Sequence, residues 1–532
     1  HIWVACKHPW VCVSALPPAP RQTVEDCTGD LQAGAAYVEG YAKLVDCRIL
    51  RCHSPGCTGG ILQSSYPLPT SGFLEMIRGT ITGCSSSSCS GAIEVFGAGA
   101  LLLDVMVADC QITGDKDGGG AISIDDSRFI MRGGAIRNCE APNANGGALR
   151  VAGDGSQVEL SGVTVHGCSA RRCGFLHLLN AGTVRLVDVS IEDCEASVQD
   201  AVMFSTGTVH AERVRVVRPG VIRFALNLHG ISSWTDCIFS DFVDRGATNK
   251  QCFSILSGTH TFTRTSITNF PTAISTEGVS VTTMLDSHIL DCPGHRGPAL
   301  DISCLHFSRG TLVLRNTTLH NCGSPQVPAW IFFSADSATN FRSELLTLEP
   351  SCDEDPSTAL ISIDSTFTEP LNARGLRVVV PAACPSSTFS VFRETVRLMN
   401  CSDGDGDGIC GAAATCTDVQ PLPSVPDLTT ASCSCEGEVF ANPNGTSLAL
   451  APYGFDPSAI GLPVSLDRTS VGLPDTTIDY CVRAVLFKPQ PAAQICVRPH
   501  RSCHRSHREG RCSSNSAASF WKRYSGSRRM RP

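Results

Sequence analysis

Apolar and polar positions recur in a fixed frame along most of the chain. Aligned on one anchor position, Cys52, Cys84, Cys110, Cys139, Cys168, Cys194, Phe242, Phe270, Cys292 and Cys322 follow one another, mostly at steps of 22 to 32 residues. Three residues before each anchor stands Ile49, Ile81, Val107, Ile136, Val165, Ile191, Phe239, Ile267, Ile289 or Leu319. Eight before it stands Leu44, Met76, Leu102, Met131, Leu160, Leu186, Trp234, Phe262, Met284 or Leu314. Both columns are apolar without exception. The longer step to Phe242 hides a weaker unit near Pro219. Alternation over so few residues predicts short strands, each with one inward face.

Two further columns predict where the chain bends. Immediately before the anchor come Gly83, Asp109, Asn138, Gly167, Asp193, Asp241, Asn269, Asp291 and Asn321, with Arg51 departing. Six before it come Asp46, Asp104, Gly133, Gly162, Asp188, Asp236, Asp286 and Asn316, with Arg78 and Arg264 departing. Gly, Asn and Asp enter the left-handed backbone region at least cost. Each unit is therefore one coil with two sharp corners. Coils stacked at the ~4.8 Å spacing of strands bury together an inner face that no single coil could bury. The fold class is all-β, a parallel β-helix over residues 40–400.

The strand re-entries read "GGAISI", "GGALRV" and the weaker "SGAIEV". They resemble the GGAI half of the polymorphic outer-membrane-protein repeat. Cys takes the place of that repeat's Asn here, and Ile or Val that of its Phe in most coils. The resemblance implies a right-handed parallel β-helix and an adhesin-like surface module more than an enzyme. Similar ectodomains occur in large cysteine-rich surface proteins of single-celled algae and other protists.

Composition narrows the setting. The 532 residues are 42% hydrophobic and only 17% charged, with 48 Gly and 29 Cys. So many cysteines favour an oxidising compartment, extracellular or at the cell surface. Net charge is −8, which offers no nucleic-acid footprint. No apolar run reaches the ~18 residues of a membrane helix. Residues 1–39 read as a cap or leader. Residues 401–487 read as a small disulfide-rich β module. Residues 488–532, with 11 Lys or Arg against one Glu, read as a disordered basic tail. Cys503, His504, His507 and Cys512 in that tail match no zinc spacing.

Candidate chemistry lies at four places. Cys52–Cys57, Cys84–Cys89 and Cys168–Cys173 share a C-x4-C spacing and are either loop disulfides or a second buried column. Asp403, Asp405 and Asp407, followed by Gly408, form the first half of a Ca2+ loop, although Ala414 stands where the twelfth-position Glu belongs. The alternative is an acidic turn. Asn316, Asn400 and Asn444 are glycosylation sequons. The outward column after the Gly-Ala start reads Glu94, Ser123, Arg150, His177 and Met203. Glu94, Arg150 and His177, joined by Asp125 and Asp126, could serve a calcium-dependent polysaccharide lyase or a glycoside hydrolase. The same residues equally make a solvated face of a scaffold, and no compact acidic cluster recurs there. The chain is thus expected to bind glycans or surface proteins as an adhesion or spacer module, with Ca2+ its candidate cofactor.

Overall fold

The computed structural model describes residues 22–349 apart from short stretches at 30–31, 65–71, 116–117, 181, 199, 222, 245–249, 277, 297–300, 324–328 and 334–339; outside that range it describes only the backbone of further strands. Asp403, Asp405, Asp407, Asn400, Asn444 and the tail lie outside the described residues.

The described residues form a parallel β-solenoid of about 11 turns over residues 23–349. Every described element is a strand, and no helix is long and apolar enough to cross a membrane. One turn shows the plan. Ile93–Phe96 belongs to wall A, Gly99–Leu103 and Met106–Ala108 to the two limbs of wall B, and Gln111–Ile112 to the short wall C. The next turn repeats it in register: Ile93 pairs with Ile122, Leu102 with Met131, Val107 with Ile136. Ile81, Val107, Ile136, Val165 and Ile191 stack as one column, each at most 1% exposed. The weak unit near Pro219 is a full coil, with Val216 between Ile191 and Phe239.

The solenoid starts before residue 40. Thr23–Glu25 already pairs parallel with Arg48–Leu50, and Asp26-Cys27 forms its corner. Below it, the backbone of Ile2–Cys6 pairs antiparallel with Ala36–Glu39 and His8–Val13, closing an edge of wall A that would otherwise offer unpaired amides.

Both corner columns are left-handed. Asp109, Asn138, Asp193, Asp291 and Asn321 have φ of 52°, 49°, 53°, 52° and 49°. The bend turns a backbone carbonyl inward, and the next residue answers it. Cys110, Cys139 and Cys292 donate Sγ–H to the carbonyl two residues back at 3.2, 3.3 and 3.3 Å; Ser287 does so through Oγ at 2.7 Å. A small buried donor is what the place requires. Cys meets that need without the desolvation penalty of a stronger polar group.

The arginine departures have a reason in the coil before. Arg51, Arg78, Arg213, Arg218 and Arg264 all sit at left-handed corners. Each guanidinium forks onto the Asp at the same corner one coil earlier: Asp26, Asp46, Asp188, Asp193 and Asp236, at 2.5 to 3.0 Å. Asn138, Asn269, Asn316 and Asn321 do the same with one amide bond to Asp109, Asp241, Asp286 and Asp291. Among the described residues no aspartate stacks directly on another in either column. In-register stacking would otherwise place like charges one strand spacing apart.

These pairs carry a pH dependence of fixed sign. The guanidinium of Arg264 holds Asp236 below the ordinary carboxylate range, as Arg213 does for Asp188 and Arg218 for Asp193. A depressed folded value means stability that is full above the unfolded Asp value, about 3.9, and lost as pH falls through the folded one. Arg264→Gln is expected to return Asp236 toward its ordinary value. A carboxyl-carbon NMR titration of Asp236 reads this directly, and an unmoved titration would contradict the pairing.

The glycine of each re-entry forms a third column. A Cβ on Gly59, Gly91, Gly120 or Gly147 would lie 2.4, 2.1, 2.3 or 2.5 Å from the carbonyl oxygen of the next glycine in the series Gly91, Gly120, Gly147, Gly174. The backbones approach so closely at the turn into wall A that no side chain fits.

Candidate functional site

Wall A carries the candidate residues on its outer face. Parallel pairing places Leu62, Glu94, Ser123, Arg150, His177, Phe204 and Asn227 in one line, one residue per coil. Glu94, Arg150 and His177 therefore share a column as expected. Met203 does not. It pairs with Leu176 and is fully buried, and Phe204 takes the outer place. A slip of one residue moves a strand side chain to the opposite face. Ser123 and His177 are 4% and 2% exposed, so these two places in the strip are packed over rather than solvated.

Its lower end is a knot of three donors. Thr58 donates Oγ1–H to Glu94 Oε2 at 2.6 Å. The thiols of Cys57 and Cys89 and a carboxylate oxygen of Glu94 all lie within 4.8 Å of one another. Burial holds the Glu94 carboxyl above its usual range, against the opposing pull of Thr58, the two thiols and Arg150.

The middle is Arg150. Its Nη1 lies 3.9 Å from Asp125 Oδ2, a long contact, and its buried Nε has no hydrogen-bond partner among the described residues. Burial raises Asp125 while Arg150 opposes that rise. Glu94 and Arg150 are separated by the Ser123 coil, so the column brings no second carboxylate beside Arg150 from below.

The upper end was not legible as a site. Phe204 is flanked by the rings of His177 and His229, centroids 5.4 and 5.3 Å away, and Arg172 lies 5.8 Å from its ring centre. Behind them Asp200, fully buried, accepts a 3.0 Å bond from Asn227 Nδ2, while its Oδ2 has no partner among the described residues. Burial pushes the Asp200 carboxyl up to about 6, with Asn227, Arg172 and Arg223 opposing. A raised folded value means that Asp200 favours folding most below about pH 4, and that this contribution is lost as pH rises through about 6. Asp200→Asn is expected to stabilise the protein at neutral pH by about 2 kcal/mol and to flatten the melting temperature across that window. An unchanged pH slope would show that Asp200 is not the titrating group.

The disulfide expectation needs correcting. Cys52, Cys57, Cys84, Cys89, Cys168 and Cys173 are all free thiols. Cys52 meets Cys84 and Cys57 meets Cys89, in neighbouring coils rather than across one loop. The loop carries the second cysteine from the wall C corner to the edge of wall A, so its side chain belongs to another column. Cys173 sits one position further on, fully buried at φ 56°. Cys27, by contrast, is disulfide-bonded. Of the sequons, Asn316 is an exposed corner whose Nδ2 is already bonded to Asp286 Oδ1 at 2.8 Å.

Wall B adds a shallow recess of about 220 Å³ lined by Arg128, Gln157, Glu159, Thr183 and Arg185. Glu159 in its lining is paired with Arg132, outside the recess, at 3.1 Å. No protein-family model, curated protein or solved structure matches the chain.

Proposed function

We propose that the chain is an extracellular or cell-surface adhesion or spacer module, a right-handed β-helix of the GGAI-repeat kind, that binds glycans or surface proteins along the outer strip of wall A. The observation that carries this reading is the strip itself. Glu94, Arg150 and Phe204 present a carboxyl, a guanidinium and an aromatic ring along one line of coils, with the buried Ser123 and His177 between them. Such a mixture suits a ligand rich in hydroxyl and carboxyl groups, held at several weak contacts that reinforce one another along a rod.

A second reading, a calcium-dependent lyase, draws support from Arg150 beside Asp125. One experiment separates them: glycan-array binding with and without Ca2+, beside an assay for unsaturated uronate from acidic polysaccharides, on the wild type and Arg150→Ala. The scaffold reading expects array binding that Arg150→Ala weakens by no more than about tenfold, since contact is spread over coils. It expects no turnover. Calcium-dependent uronate release by the wild type, abolished in Arg150→Ala, would replace it with the lyase reading. The calcium arm, repeated after replacing Asp403, Asp405 and Asp407, tests those residues as ligands.

A further inference from the structure

Cys57 and Cys89 hold equivalent places in consecutive coils. Cys89 N–H donates to the Cys57 carbonyl at 3.0 Å, and Thr58 bridges to Ser90 beside them. In the following coil the place is taken by Gly118, whose missing side chain leaves the column only two thiols long. Glu94 then arrives from wall A of the same coil as Cys89. All three residues are half-buried, and their donor atoms lie within 4.8 Å of one another.

We propose that Cys57, Cys89 and Glu94 form a binding site for a zinc-like divalent cation. Two thiolates and one carboxylate are a borderline-soft donor set. Bond lengths of about 2.3 Å to sulfur and about 2.0–2.2 Å to oxygen put tetrahedral donors somewhat closer together than the 4.8 Å within which all three atoms lie, so binding draws them inward. Thr58 already orients the Glu94 carboxylate from outside, by its bond to Oε2. Such outer hydrogen bonds fix the direction and basicity of a ligand. Three protein ligands leave the fourth tetrahedral position to water, the arrangement of an open site. Binding releases the thiol protons, so affinity rises with pH.

The site shares Glu94 with the ligand strip but does not depend on glycan binding. Its test reads thiolate-to-metal absorption, so the two ideas stand or fall separately. The full chain, reduced, is titrated with Co2+ and with Cd2+, and difference spectra of each protein are taken against the same protein without metal. One equivalent with a near-ultraviolet thiolate band is expected in the wild type and in Cys110→Ala. The band should disappear in Cys57→Ser and Cys89→Ser. Glu94→Gln, which leaves both thiols in place, should weaken binding at least about tenfold. Equal melting temperatures of the metal-free proteins exclude misfolding as the cause. A band unchanged in Cys57→Ser, or no band in a wild type whose two thiols mass spectrometry shows to be reduced, would overturn the proposal.

Discussion

Phe253→Ala is expected to destabilise the solenoid by about 4 kcal/mol, and to do so locally. Phe253 is fully buried between three aromatic rings, with centroids 4.7 Å from Phe239, 4.8 Å from Phe262 and 5.8 Å from Trp234, all near edge-to-face. Removing it leaves a cavity and also ends contacts that favour this geometry beyond burial alone. The neighbours cannot collapse into the space. Trp234 is held by Nε1–H to Ser232 Oγ at 3.0 Å, and Ser232 in turn bonds His260 at 2.9 Å. Burial keeps His260 below its usual basic range, which suits a neutral ring in that chain of bonds. In a solenoid each coil contacts its neighbours only. Amide exchange should therefore speed up in Phe224–Leu228, Gln251–Ile255 and Thr272–Thr276, and stay unchanged in Phe73–Ile77 and Gly99–Leu103. Uniform loss of protection would mean that the coils unfold as one unit.

Gly147→Val is expected to cost about 3 kcal/mol, at the upper end for overpacking, because the obstacle is backbone. A Cβ there would lie 2.5 Å from Gly174 O and 2.6 Å from Ser169 O. Neither oxygen can rotate away, so relief comes only by parting the coils and losing the bond from Gly147 N–H to Cys173 O, 2.8 Å long. Gly155→Ala is the control. Its nearest atom would be Asp126 Oδ1 at 3.7 Å, and a change within about 0.5 kcal/mol is expected. Thermal melts of the two variants decide this, and equal melting temperatures would remove the steric account of the glycine column.

The apolar columns and the corners could be read from the sequence because each coil imposes the same constraint on the same position. An inward place such as that of Ile136 must be apolar, and a left-handed corner such as that of Asp109 admits few residue types. What could not be read depends on neighbours remote in sequence. Arg51 and Arg264 look like exceptions until Asp26 and Asp236 are found beneath them. The first coil carries the same marks, since Val24 and Asp26-Cys27 repeat the later pattern. Met203 was misplaced because a register shift within Asp200–Ser205 leaves no mark in composition. The C-x4-C spacing suggested loop disulfides, but spacing does not reveal that the two cysteines face different columns. The group around Phe204 had no motif to announce it, since Arg172, His177 and His229 approach its ring from separate strands and loops.

Every site described above depends on one residue per coil standing in register. Methyl-to-methyl nuclear Overhauser contacts in protein labelled at Ile and Val test this most directly. The stack predicts contacts from Ile81 to Val107, Val107 to Ile136, Ile136 to Val165 and Val165 to Ile191, in that order. Ile81 and Ile136, two strand spacings or about 9.6 Å apart in backbone, should give a far weaker contact or none. A strong Ile81–Ile136 contact, or the absence of the four neighbouring ones, would contradict the solenoid and with it the strip on wall A.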